Sequence, residues 1–190
     1  MKVNIGVSAR HVHLCDEDVE FLFGAGYKLK KMKDLIQKGE YACLEQVAIK
    51  TSKNTIDKVR VLGPTRKSTQ VEISKTDAFK LGIDPPLRNS GDIKGSSPIT
   101  LCYNGKELKK DFGCIIAQRH IHMSSRDAFK LGFENEQIVK IKINGEKGGI
   151  LHNVVIKTND NFVLELHIDT DDANAHLVKT GDIGEVIIDE

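Results

Sequence analysis

One nine-residue phrase occurs twice in this chain, as Ser74-Lys-Thr-Asp-Ala-Phe-Lys-Leu-Gly82 and as Ser124-Ser-Arg-Asp-Ala-Phe-Lys-Leu-Gly132. Each copy opens with Ser-x-x-Asp. This resembles a capping box, with an acidic residue near the positive end of a helix. Ala-Phe-Lys-Leu continues as a short helix and the glycine stops it. The frame fits two further places. Asp169 can cap a helix with Asp172 at its third position, and Cys15 stands in the cap slot before Asp18, where it is a poorer cap. Four strand-to-helix junctions are therefore expected. Two residues before each cap stand His13, Glu72, His122 and His167, all metal-competent side chains.

Two of these lie in tetrapeptides of their own, Arg10-His11-Val12-His13 and Arg119-His120-Ile121-His122. The chain has seven histidines, and four of them are here. In a strand, residues i and i+2 share a face, so each His-x-His pair can offer two imidazoles to one point. Neutral imidazole is the commonest ligand for zinc and similar metals. The candidate ligand set is His11, His13, Glu72, His120, His122 and His167. Six ligands exceed the needs of one tetrahedral zinc and suit two metals with three ligands each. His152 and His176 fit no frame and read as surface residues.

The rest of the chain reads as short strands. Tyr41–Lys50 and Thr55–Leu62 flank a Ser-Lys-Asn turn. Ile99–Tyr103 runs into Asn104-Gly105 and Val139–Ile143 into Asn144-Gly145, both hairpin signals. Ile150–Lys157 and Phe162–His167 flank a polar turn, and Val186–Ile188 closes the chain. The expected class is mainly β, two closed barrels with short capping helices. Residues 84–98 read as loop. The lysine-bearing stretch 24–39 is neither clearly helix nor strand and reads as an insertion or lid.

Composition excludes several classes. Basic and acidic residues number 28 and 27, which argues against duplex nucleic acid or a membrane surface as partner. No apolar run approaches the roughly 18 residues of a membrane span, and the N-terminus lacks the apolar core of a signal peptide. The cysteines at 15, 43, 102 and 114 are scattered and read as reduced, buried thiols. There is no P-loop, no Gly-x-Gly-x-x-Gly and no Gly-x-Ser-x-Gly. Arg66, in the Gly63-Pro64 loop just before Glu72, is a candidate phosphate donor, because a guanidinium fork matches phosphate oxygens.

These residues together resemble the propanediol-utilisation type phosphotransacylases, the phosphate propanoyltransferases. The resemblance rests on Val7-Ser-Ala-Arg-His-Val-His-Leu14, Tyr27 through Leu35, Val59 through Pro64 with Arg66, and Thr69 through Ser74. It continues through Ala117–Ser124 and Leu164–Asp171 with Ala173-Asn174. It implies an enzyme that interconverts a short acyl-CoA and phosphate with acyl phosphate and CoA. It implies two zinc ions, or another divalent metal, in a cleft between two barrels. His11, His13 and Glu72 would hold one ion and His120, His122 and His167 the other. Arg66 would contact phosphate. The implied barrels interleave: 1–9 with 118–190 form one and 10–117 the other, with a lid near 24–43. The expected location is the cytoplasm, without a microcompartment-targeting extension, and a homodimer is compatible.

The chemistry follows from those parts. Phosphate, fixed by metal and Arg66, can attack the thioester directly, so no protein nucleophile is needed. A covalent route through Cys15 is the rival, since a helix start lowers a thiol pKa. Two other functions stay open: a two-metal hydrolase of a thioester or phosphoester, and a metal-stabilised binding barrel without turnover.

Overall fold

The computed structural model describes residues 1–187. The chain divides into two compact units, one made of Met1–Ala9 and the chain from Gln118 onward, the other of Arg10–Ala117. Each unit is a closed six-stranded barrel with short helices. In the first, the strand order around the ring is Lys2–Ser8, Glu165–Asp169, His120–Met123, Gly149–Thr158, Ile138–Ile143 and Ile183–Ile187, which returns to Lys2–Ser8. In the second it is Lys106–Ala117, Gln70–Glu72, His11–His13, Thr55–Gly63, Tyr41–Lys50 and Ser97–Tyr103, which returns to Lys106–Ala117. The order of parallel and antiparallel neighbours is the same in both rings, step for step.

The connectivity explains why only part of the repeat is contiguous. Lys2–Ser8 precedes the first His-x-His strand, and Lys106–Ala117 precedes the second. Yet each is built into the barrel that holds the other motif. Closure of each ring thus depends on a strand from the opposite repeat, and no edge of the ring is left open.

The barrel strands alternate as the pleat requires. Val3 and Ile5 of the first strand are buried in the core of the first unit. In the short His-bearing strands, Val12 and Ile121 are the core residues, each fully buried. The histidines on either side of them therefore turn to the opposite face. Leu14, Val19 and Leu22 carry the first helix onto the second unit's core, as Ala78 and Leu81 do for the second helix.

The helices are Asp16–Phe23, Lys75–Leu81, Ser125–Leu131 and Thr170–His176. Their N-caps are Cys15, Ser74, Ser124 and Asp169, the four expected cap positions. The last three accept a hydrogen bond from the backbone N–H of Asp77, Asp127 and Asp172, while the Cys15 side chain makes no cap bond. Gly82 and Gly132 close their helices in the left-handed conformation.

Several boundaries differ from the sequence expectation. Asn104 and Gly105 both have positive φ and join Tyr103 to Lys106 in a tight hairpin. Asn144-Gly145 opens a longer loop instead, since Ile143 pairs with Gly149. The strand expected from Phe162 starts at Glu165. Of the closing strand, Ile188 lies outside the described residues. The stretch 24–39 contains a strand, Lys31–Asp34, paired with Tyr41–Lys50 and exposed throughout. It is fastened at its base by the buried carboxylate of Glu45, which accepts from the Tyr27 hydroxyl at 2.7 Å and from the Lys30 N–H. No helix among the described residues is long and apolar enough to cross a membrane.

Candidate metal centres and their surroundings

Each barrel gathers one triad. The antiparallel register sets His11 opposite Glu72 and, in the other barrel, His120 opposite His167. Directly opposed residues have Cβ atoms about 5 Å apart, and His13 and His122 join from two residues along the same face. The result is two groups, His11 with His13 and Glu72, and His120 with His122 and His167. Within each, the potential ligand atoms lie within 4.8 Å of one another. All six residues named from the sequence are therefore brought together, three to a barrel.

The triads are not identical. In the first, the His11 and His13 rings meet edge to face at 5.0 Å, and His11 Nε2 stands 3.5 Å from Glu72 Oε2. In the second, the three ring centroids lie 4.6 to 5.0 Å apart. The Phe162 ring stacks on His122 at 4.1 Å. A carboxylate is among the candidate ligands of the first triad, while those of the second are all imidazoles.

The protonation states suit metal binding. Burial, then the neighbouring His11 and Arg66, push His13 well below the ordinary imidazole range. Burial, then Lys157 and the two neighbouring histidines, do the same to His120. Both rings are neutral at pH 7 and keep a lone pair for a ligand. The buried Nδ1 of His13 has no hydrogen-bond partner. An orphaned buried nitrogen in such a group is costly unless something binds it. His120 Nδ1 lies 2.8 Å from the Gln118 carbonyl, which leaves Nε2 to face the triad.

The sequence reading missed the residues that hold the candidate ligands. Gln70 and Glu165 occupy equivalent positions, opposite His13 and His122 and two residues before Glu72 and His167. Gln70 Nε2 donates to Glu72 Oε1 at 2.5 Å, and Glu165 Oε2 lies 2.7 Å from His167 Nε2. The signal was present: an i, i+2 pair on a strand shares a face. Ser90 had no such signal. It comes from the loop expected at 84–98, donates to Glu72 Oε1 at 2.7 Å, and accepts from Gln70 Nε2 at 3.0 Å.

Arg66 enters the same network. Its Nη1 donates to Ser90 Oγ at 3.1 Å and its Nη2 to Glu40 Oε1 at 3.4 Å. Its backbone N–H donates to the Leu14 carbonyl, just past His13. A half-buried guanidinium thus sits one hydroxyl away from a candidate metal ligand. Cys15 lies nearby but is poorly suited to attack. It is buried, its helix opens with three acidic residues, and desolvation outweighs the Thr69 hydroxyl in pushing its thiol up. The four cysteines are all free thiols. His152 is exposed, and His176 Nδ1 lies 3.0 Å from the Lys147 carbonyl.

Two barrels, each with a His-rich triad at its strand-to-helix junctions, define a class of β-barrel protein with candidate metal sites, and comparison with known proteins narrows it. The family model for phosphate propanoyltransferase matches residues 4–179, so the chain belongs to that family and is an enzyme of the phosphotransacylase type. Among its relatives is the phosphate propanoyltransferase of Priestia megaterium, 54% identical over 182 residues, covering 96% of this chain and 84% of the relative. That of Thermotoga maritima is 49% identical over 184 residues, covering 96% and 88%. The Clostridioides difficile protein of the same name is 44% identical, covering 97% and 88%.

Proposed function

We propose that this chain interconverts a short-chain acyl-CoA, propanoyl or acetyl among the candidates, and phosphate with acyl phosphate and CoA, and that it does so with two zinc ions. His11, His13 and Glu72 would hold one ion and His120, His122 and His167 the other. The donor set fits: three nitrogen or oxygen ligands with room for an exchangeable partner is the pattern of a catalytic zinc. When bound, the ions supply positive charge to phosphate and to the thioester carbonyl, and a partner for the departing sulfur.

The chain's own residues do the rest. Arg66 takes phosphate in its guanidinium fork, with Ser90 holding Nη1 and phosphate replacing Glu40 on Nη2. Fixing phosphate in this way turns an encounter into a near-unimolecular attack. One phosphate oxygen forms the new bond to the carbonyl carbon, and the carbon–sulfur bond breaks to release the thiolate of CoA. Gln70 and Ser90 hold the Glu72 carboxylate, so the first triad and the phosphate donor are positioned by one network. Cys15, kept as a thiol by burial, takes no part.

The observation that carries this reading is the link from Arg66 through Ser90 to Glu72, in a chain of this family. The test is release of free thiol from acetyl-, propanoyl- and butanoyl-CoA with and without phosphate. Thiol release that requires phosphate and yields acyl phosphate is the expected result. Release that ignores phosphate would make the protein a hydrolase.

A further inference from the structure

Both His-x-His strands are preceded by an arginine, and in both barrels it reaches the same place. Arg10 grips Asp77, with Nε 2.9 Å from both carboxylate oxygens and Nη2 2.7 Å from Oδ1. Arg119 grips Asp172, with Nε 2.7 Å from Oδ2 and Nη2 2.6 Å from Oδ1. Each aspartate is the third helical residue after its cap, and its N–H is held by that cap, Ser74 or Asp169. The caps in turn lie two residues beyond Glu72 and His167. Each fork therefore joins the start of the strand carrying two ligands to the junction carrying the third.

An exposed ion pair adds little to global stability. These pairs are of another kind: the carboxylate partners are 4% and 17% exposed, and the fork fixes orientation as well as distance. The same device stands at the same register of both barrels, while the ligand chemistry differs. We propose that Arg10–Asp77 and Arg119–Asp172 are positioning pairs, each setting the metal affinity of its own triad and leaving the other triad unchanged. The inference rests on the metal reading above.

The test measures metal retained per chain during titration with a chelator, by elemental analysis. The parent is expected to release two ions. A parent that binds none overturns the metal reading and this inference with it. In Arg10→Ala one ion should be lost about 10–100-fold more readily, the range expected when support behind a ligand is removed, while the other keeps its parent affinity. Arg119→Ala should weaken only the second. The assignment of ions comes from a His13→Ala background, which should retain only the ion of the second triad. There Arg119→Ala should loosen that ion and Arg10→Ala should leave it alone. Arg10→Lys keeps the charge without the fork and should recover affinity only in part. If Arg10→Ala does not fold, Asp77→Asn, which keeps the shape of its partner, takes its place. Equal loosening of both ions, or of neither, with both ions present in the parent, overturns the positioning role while leaving the metal reading intact.

Discussion

At the scale of single residues, Arg66 and Cys15 make opposite predictions. Arg66 reaches Glu72 only through Ser90 in this network, so its role should be visible in phosphate kinetics. Arg66→Ala is expected to raise the apparent KM for phosphate at least tenfold or to abolish turnover. Arg66→Lys should recover only part, because an ammonium cannot form the fork. Unchanged phosphate kinetics in Arg66→Ala would remove the assignment. Cys15→Ser should leave turnover within a few-fold of the parent, since a buried, protonated thiol contributes no nucleophile. It also places the residue found at 74 and 124 in the equivalent cap slot. Trapping of an acyl group on Cys15, together with an inactive serine variant, would instead establish the covalent route.

At the scale of elements, the strand-to-helix junction is the functional unit. The strand presents the candidate ligands on the face opposite its core residue, and the cap fixes where the strand ends. Ser124→Ala removes a bond to the Asp127 N–H and should cost about 1 kcal/mol of stability. Denaturant unfolding would measure it, and an unchanged midpoint would show that this cap is dispensable. His122→Ala should cost the protein one ion per chain and its activity, with far-UV circular dichroism near that of the parent. Its core neighbours, Ile121 and Met123, are untouched and fully buried. A variant that keeps both ions would take His122 out of the ligand set.

At the scale of the whole molecule, the exchanged strands separate the two units in a measurable way. Residues 10–117 contain every strand of their own barrel, so that fragment should fold alone. Residues 118–190 lack Lys2–Ser8, and with it the core side chains Val3 and Ile5. Burying each such side chain is worth about 1.5–3 kcal/mol, and without the strand its two neighbours face water as open edges. That fragment should stay largely unfolded until a peptide of residues 1–9 is added. Circular dichroism or amide exchange would follow the recovery, and a fragment that folds without the peptide would contradict the closure argument.

The residues of the sequence by themselves determined the repeat, the four caps, the six candidate ligands and the mainly β class. Each of these is a local pattern: a cap needs a side-chain oxygen three residues from an N–H, and a strand face needs only alternate positions. The family resemblance, carried by longer motifs, implied the interleaved barrels and the role of Arg66. What only the tertiary structure decided was pairing over long separations. No spacing in the chain announces that Ser90 will stand between Arg66 and Glu72, because its loop has no periodicity and its place is set by the strands around it. Nor does any spacing announce that Arg10 will meet Asp77, 67 residues on, or Arg119 meet Asp172. Those contacts depend on parallel and antiparallel register inside closed rings, and a ring's register is settled only when all six strands are in place.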